Sequence, residues 1–212
     1  LAQAMAEDVL AVLAAHPDIT RITLVSDDPG GELLARKYAA DCWPEYIVGG
    51  SGLNALMQRA SERLLAGDSG PLVVLHADLP LLARSDISAT LSRQRALHGL
   101  VIGSDRHGRG TNLLAFDAAT LPRFCFGADS CHAHASGARA AGVAVTVLRR
   151  PGLAADVDSP ADLKWVMDRL RQNPRGNTAS LLHDTPLGAR VTLALATLPT
   201  DEGGNAGGIE QA

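Results

Sequence analysis

Residues 71–82 read PLVVLHADLPLL, and this stretch decides the fold. Leu72 to Leu75 form a short, uninterrupted apolar run, the pattern of an interior strand in a parallel sheet covered on both faces. The run stops at an acidic residue, Asp78, beside Pro80. Ligands of open α/β sheets bind beyond the carboxyl ends of the strands, which is where Asp78 would stand. A carboxylate there suits a divalent cation, since Mg²⁺ is commonly held by one or two carboxylates together with substrate phosphates. The alternative is that Asp78 only caps a helix beginning after Pro80.

The bulk properties narrow the field around this strand. A chain of 212 residues with 46% hydrophobic and 20% charged residues suits one soluble domain with a full core. No apolar run approaches the roughly 18 residues of a membrane span, and no signal peptide is visible, so a cytoplasmic protein without membrane contact is expected. Cys42, Cys125 and Cys131 form no CxxC pair, which leaves a disulfide framework or a zinc site unsupported. A net charge of −4 and 3% aromatics argue against a nucleic-acid surface.

Outward from residues 71–82, helix and strand signals alternate. Leu1, Met5, Val9, Leu10 and Leu13 have helical spacing, so the chain opens inside a helix. A strand around Ile22 to Val25 ends in Ser26-Asp27-Asp28, a helix covers about Glu32 to Ala40, and a brief strand is expected at Tyr46 to Val48. Gly49-Gly50-Ser51-Gly52-Leu53-Asn54 introduces a helix ending near Ala66, and such a turn brings backbone N–H groups close to a ligand or merely turns the chain. After Asp78 come a helix at about Ser85 to His98 and a strand at Gly99 to Ser104. The polar run Asp105 to Asn112 then leads into apolar Leu113 to Phe116. Its arginines, Arg106 and Arg109, with glycines between them, suit a phosphate or carboxylate clamp, and equally a solvated hairpin.

Ser130 sits near a helix start, where an N-cap is its default role. His132 and His134 in that helix are two residues apart and face different ways, against a shared metal. Beyond a strand at Val143 to Leu148, Asp156 and Asp158 alternate on an extended segment, so one of them faces the site while the other acts through water or caps the helix Pro160 to Leu170. The pattern weakens after Arg171. The stretch TPLGARVTLALATL is compatible with a strand, and Gly203 to Gly208 reads as a flexible tail. The expected organisation is one domain over residues 1–170 and a flexible C-terminal extension over 171–212. Neither GxxxxGK[ST] nor a strand-following GxGxxG occurs, which favours metal-dependent nucleotidyl transfer over P-loop hydrolysis or hydride chemistry.

In order along the chain, VSDD at 25–28, GLNAL at 52–56, LHADLPLL at 75–82, DRHGRGTNLLA at 105–115, FGADS at 126–130 and DVDSPADL at 156–163 together resemble the CofC/FbiD family. These are guanylyltransferases of coenzyme F-420 biosynthesis. The resemblance spans about residues 1–170 and implies a three-layer α/β fold with a mostly parallel sheet, like the nucleotide-diphospho-sugar and molybdenum-cofactor nucleotidyltransferases. It implies transfer of GMP from GTP to 2-phospho-L-lactate, phosphoenolpyruvate or 3-phospho-D-glycerate with release of pyrophosphate, and a hand-off to the next enzyme of the pathway.

Carried over by position, Asp78 and Asp156 would hold Mg²⁺ with Asp158 nearby. Thr111, Gly127 and Ser130 would hold the acceptor, and Gly52 and Asn54 the guanine nucleotide. Arg106 and Arg109 would neutralise charge.

The family also begins with a strand and a lysine-bearing loop of the form LIPVK…AKSRL, which this sequence lacks. It is therefore expected to be N-terminally truncated, with an unpaired strand edge and little turnover unless extended upstream. The competing expectations are a remnant that binds nucleotide without catalysing, and a molybdopterin or sugar-phosphate nucleotidyltransferase.

Overall fold

The computed structural model of the chain describes residues 1–67 and 70–197. In chain order its elements are α1 (Ala2–Ala14), β1 (Thr23–Val25), α2 (Gly31–Lys37), β2 (Asp41–Trp43), α3 (Glu45–Val48), α4 (Gly52–Gly67), β3 (Leu72–Leu75), α5 (Arg84–Leu97), β4 (Leu100–Ser104), β5 (Thr111–Phe116), α6 (Ser130–Ala140), β6 (Val145–Leu148), α7 (Pro160–Gln172), α8 (Gly176–His183) and α9 (Pro186–Ala196). The expected α/β fold is present.

The main sheet has the order β3-β5-β4-β6. β5 is antiparallel to both β3 and β4, while β4 and β6 are parallel. Three of its four strands therefore share one direction and β5 alone runs against them. This reversal positions the site: Leu75 at the end of β3 lies opposite Leu113, so the beginning of β5 comes to the carboxyl end of β3.

Alternating side chains divide the core into two layers, as the period of a strand requires. Val73, Leu75, Val101, Leu113 and Ala115 pack against Val9 and Leu13 of α1 and Ile87 and Leu91 of α5. Leu72, Val74, Leu100, Ile102, Leu114 and Phe116 pack on the other face against Met57 and Leu65 of α4 and Cys131, Ala135 and Ala138 of α6. Every residue of β4 and β5 is buried, the mark of strands covered on both sides.

A separate parallel pair, β1 and β2, stands beside this sheet. Among the described residues β1 pairs only with β2, and β3 only with β5. A cavity of about 590 Å³, lined by residues of both β1 and β3, opens between them. Leu53, His76, Ala77 and Phe126 also line it.

Two expected strands are helices. Residues Tyr46 to Val48 belong to α3, and the strand lies earlier, at Asp41–Trp43. Pro44 separates the two: it has no N–H to give to a ladder, and it stands at the N-cap of α3. Within the stretch TPLGARVTLALATL, Pro186–Ala196 form α9, with Pro186 in its first turn and Thr185 capping the N–H of Leu187. Its apolar Val191 and Leu195 complete a third cluster with Val166, Met167 and Leu170 of α7 and Ala179 and Leu182 of α8. Burial of that helical stripe outweighs the β-preference of the valine and threonine. The buried Asp8 of α1 accepts hydrogen bonds from the backbone N–H groups of Asn177 and Thr178, tying the start of α8 to the start of the chain. The glycine run at 203–208 lies outside the described residues.

Candidate active site

Both capping alternatives for the acidic residues fail on geometry. No helix begins directly after Pro80: α5 starts at Arg84, where the Ala83 N–H donates to Asp86. At α7 the cap is Ser159, whose hydroxyl accepts from the Asp162 N–H at 3.2 Å while the Asp162 carboxylate accepts from the Ser159 N–H at 2.9 Å. Asp78 and Asp158 are left for other work.

Asp78 lies three residues beyond the end of β3, half-buried, and its Oδ1 is buried with no hydrogen-bond partner. An orphaned buried acceptor is rare and calls for an ordered water or an ion. Burial pushes the Asp78 carboxyl above the ordinary carboxylate range, His76 pulls it back, and Asp158 pushes it further up. Asp156 is raised in the same way, first by burial; a hydrogen bond from Asn112 opposes this, and Asp158 and Asp105 add to it. Asp158 itself is exposed. Its negative charge raises both Asp78 and Asp156, so it stands near each of them. Among the described residues no cluster of three or more His, Cys, Asp or Glu side chains is arranged to hold a metal ion. Two carboxylates still suit Mg²⁺, which takes its remaining ligands from water and substrate phosphates. The orphaned Oδ1 and the uncompensated charge fit such an ion.

The start of β5 knits this group together. The His76 N–H donates to the Asn112 carbonyl at 3.0 Å, and Asn112 Nδ2 donates to the Leu153 carbonyl at 2.9 Å. Through these two bonds buried Asn112 joins β3, β5 and the segment following β6. Sequence reasoning passed over it, although a polar amide opening a wholly buried strand is a readable signal.

Thr111 and Ser130 are both buried, and Gly127 is exposed. Ser130 is the first residue of α6 rather than its cap, which is Asp129 in a left-handed conformation. His134, also passed over as a functional residue, connects the parts. Its Nε2 accepts from the Cys125 N–H at 2.8 Å, which leaves the proton on Nδ1, 3.1 Å from Thr111 Oγ1. Burial holds this imidazole below the ordinary histidine range, consistent with the neutral form.

The arginines are already engaged. Arg106 pairs with Asp162 at 2.7 Å and lies over the Trp165 ring. Arg109 pairs with Asp129 at 2.8 Å, both exposed, an arrangement an incoming anion can displace at little cost. Gly52 opens α4 with φ +78° and open space where a Cβ would stand. Asn54 has its amide engaged: Oδ1 accepts from the Phe126 N–H at 2.6 Å and Nδ2 donates to the Phe126 carbonyl at 3.1 Å.

A family model described as "Guanylyl transferase CofC like" matches residues 1–171. The chain belongs to this family. Its curated relatives include the phosphoenolpyruvate guanylyltransferase of Conexibacter woesei, 35% identical over 173 residues, covering 81% of this chain and 75% of that one. The protein of the same name from Sphaerobacter thermophilus is 32% identical over 165 residues, 77% of each chain.

Among solved structures, the chain is similar in fold to a provisionally named nucleotide-diphospho-sugar transferase from Desulfovibrio desulfuricans G20, with TM-score 0.72, 18% identity and coverage of 91% of this chain and 84% of that one. It is also similar to 4-diphosphocytidyl-2C-methyl-D-erythritol synthase, with TM-score 0.58, 16% identity and coverage of 76% and 88%. Guanylyl transfer is thus the reaction class of the CofC-like family to which Asp78, Asn112 and Asp156 belong here.

Proposed function

We propose that this chain is a cytoplasmic Mg²⁺-dependent guanylyltransferase of coenzyme F-420 assembly, moving GMP from GTP to a small phosphorylated acid and releasing pyrophosphate. Phosphoenolpyruvate is the favoured acceptor, from the names of the relatives. The observation that carries the reading is the buried, partnerless Asp78 Oδ1, set in a carboxylate group at the end of β3 in a chain of this family.

The chemistry needs little acid–base help. An acceptor phosphate oxygen is ionised at neutral pH; it attacks the α-phosphorus, a new P–O bond forms, and the bond to the β-phosphate oxygen breaks as pyrophosphate leaves. The obstacle is repulsion between two polyanions, so positioned positive charge and donors are the main devices. Asp78 and Asp156 would hold Mg²⁺, which when bound supplies charge neutralisation at the phosphates. Asn112 favours the charged form of Asp156. Thr111, Gly127 and Ser130 are assigned to the acceptor, with Arg109 meeting its charge on release from Asp129, and Gly52 lies on the nucleotide side.

The test follows pyrophosphate release with GTP, Mg²⁺ and, in turn, phosphoenolpyruvate, 2-phospho-L-lactate and 3-phospho-D-glycerate. It is run on the 212-residue chain and on a version extended upstream by a strand and lysine-bearing loop. Release with one acceptor supports the reading, and the acceptor names itself. No release with any acceptor in either form sinks it.

A further inference from the structure

Three consecutive backbone N–H groups in the loop before α6 donate to side chains. Phe124 donates to Gln58 Oε1 at 3.4 Å, Cys125 to His134 Nε2 at 2.8 Å, and Phe126 to Asn54 Oδ1 at 2.6 Å. Asn54 Nδ2 returns a bond to the Phe126 carbonyl at 3.1 Å. Asn54 and Gln58 lie one turn apart on α4 and so present one face to the loop. His134 reaches it from α6.

An amide that takes both the N–H and the C=O of one residue pairs with it as a neighbouring strand would, and fixes the peptide planes on both sides of Phe126. The ring of Phe126 is also held, with centroids 5.0 Å from His76 and 5.2 Å from His134. The next residue is Gly127, at φ +133° with nothing near the place of a Cβ. Its carbonyl accepts from the Ser130 N–H at 3.2 Å, while the peptide that precedes it is the one whose C=O Asn54 holds, so the orientation of its N–H is inherited from Phe126.

We propose that Asn54 is a positioning residue of the acceptor-binding loop, acting through Phe126, and not a contact to the nucleotide. This deepens the function proposed above and rests on its assignment of Gly127 to the acceptor. It also gives the turn at 49–52 and the acceptor loop a shared element, α4. Gly52 and Asn54 are near in sequence but serve different substrates: the glycine faces open space, while the asparagine is turned inward to the loop.

The experiment compares Asn54→Ala and Asn54→Asp with the unaltered chain. Calorimetry measures Mg²⁺-GTP and phosphoenolpyruvate binding separately, and hydrogen exchange reads the Phe126 amide. With Asn54→Ala, phosphoenolpyruvate affinity should fall about tenfold while GTP affinity stays within about twofold, the scale of losing a hydrogen bond that holds a partly buried group. Protection of the Phe126 amide should fall with it.

Asn54→Asp has the same size, which guards against a failure to fold. It still accepts the Phe126 N–H but sets a carboxylate against the Phe126 carbonyl, so acceptor binding should weaken without loss of the amide's protection. A fall in GTP affinity with acceptor binding unchanged overturns the proposal, as does unchanged protection of Phe126 in Asn54→Ala. An equal fall for both ligands overturns it too, because it marks a merely structural role. If the unaltered chain binds no phosphoenolpyruvate, the assignment of that acceptor fails instead, and the Phe126 amide still judges Asn54.

Discussion

Asp78 combines an orphaned oxygen with a raised carboxyl pKa, and the two properties make a joint prediction. In the unfolded chain the carboxyl titrates in the ordinary range; in the folded chain burial raises it. As pH rises through the unfolded value the native state keeps the proton longer, so stability falls across the window between the unfolded and the raised folded value, and the penalty is complete once pH exceeds the folded one. Asp78→Asn should therefore raise the melting temperature of the ion-free protein at neutral pH. It should lower turnover at least about a hundredfold in any active form, the scale of losing one electrostatic stabiliser of a transition state.

Asp156 is raised for the same first reason, so Mg²⁺ should raise the melting temperature near neutral pH and do so less at about pH 5, where protons compete with the ion. A stabilisation that grows as pH falls would contradict the assignment. Asn112→Leu removes the amide that favours the charged form of Asp156 and that donates to the Leu153 carbonyl. Loss of a partner that orients a metal-binding group typically costs about 10- to 100-fold, so the Mg²⁺ concentration for half-maximal activity should rise on that scale.

The decisive feature among the elements is the join between α1 and α8. Asp8 is a helix-interior residue that satisfies the first N–H groups of a helix about 170 residues away in sequence. Asp8→Ala leaves those donors without their acceptor, and a cost of about 2 kcal/mol, or roughly 4–8 °C in melting temperature, is expected from thermal denaturation. Asp8→Asn keeps an oxygen there and should recover part of the loss. The same scale shows where sequence reading was sound. Helices α1, α4, α5 and α7 and strands β3 and β4 were legible because their apolar patterns are strong and their ends carry turn or cap residues, whereas the apolar run that forms β5 was not assigned a state. The run at 46–48, expected as a strand, and the stretch from 185, read as compatible with one, are both helical. Tyr46 to Val48 suit a strand and Pro44 decided their state, while Leu and Ala dominate the later stretch, whose helical stripe matches the cluster on α7 and α8.

Across the whole molecule, the sheet and the β1–β2 pair are separated by the cavity of about 590 Å³. The strand edges of β1 and β3 that line it lack strand partners among the described residues, whereas β5 is paired on both sides. Amide exchange should follow this difference. Thr23 to Val25 are expected to exchange faster than Leu113 to Ala115, whose bonds open only with the global unfolding of the main sheet. Equal protection of the two sets would show that the cavity is not a weak seam.

Sequence alone determined the fold class, the family, and the place of Asp78 just beyond the end of β3, because these follow from local period, turn chemistry and motif order along the chain. It did not determine which polar groups meet. The reversal of β5 brings Thr111 and Asn112 to the end of β3, and packing of α4 and α6 turns Asn54 and His134 inward onto the loop at 124–126. Those contacts join residues 41 to 72 positions apart in the chain for Asn112 and Asn54. No window of sequence encodes such distances; only the closing of the sheet between its helices decides them.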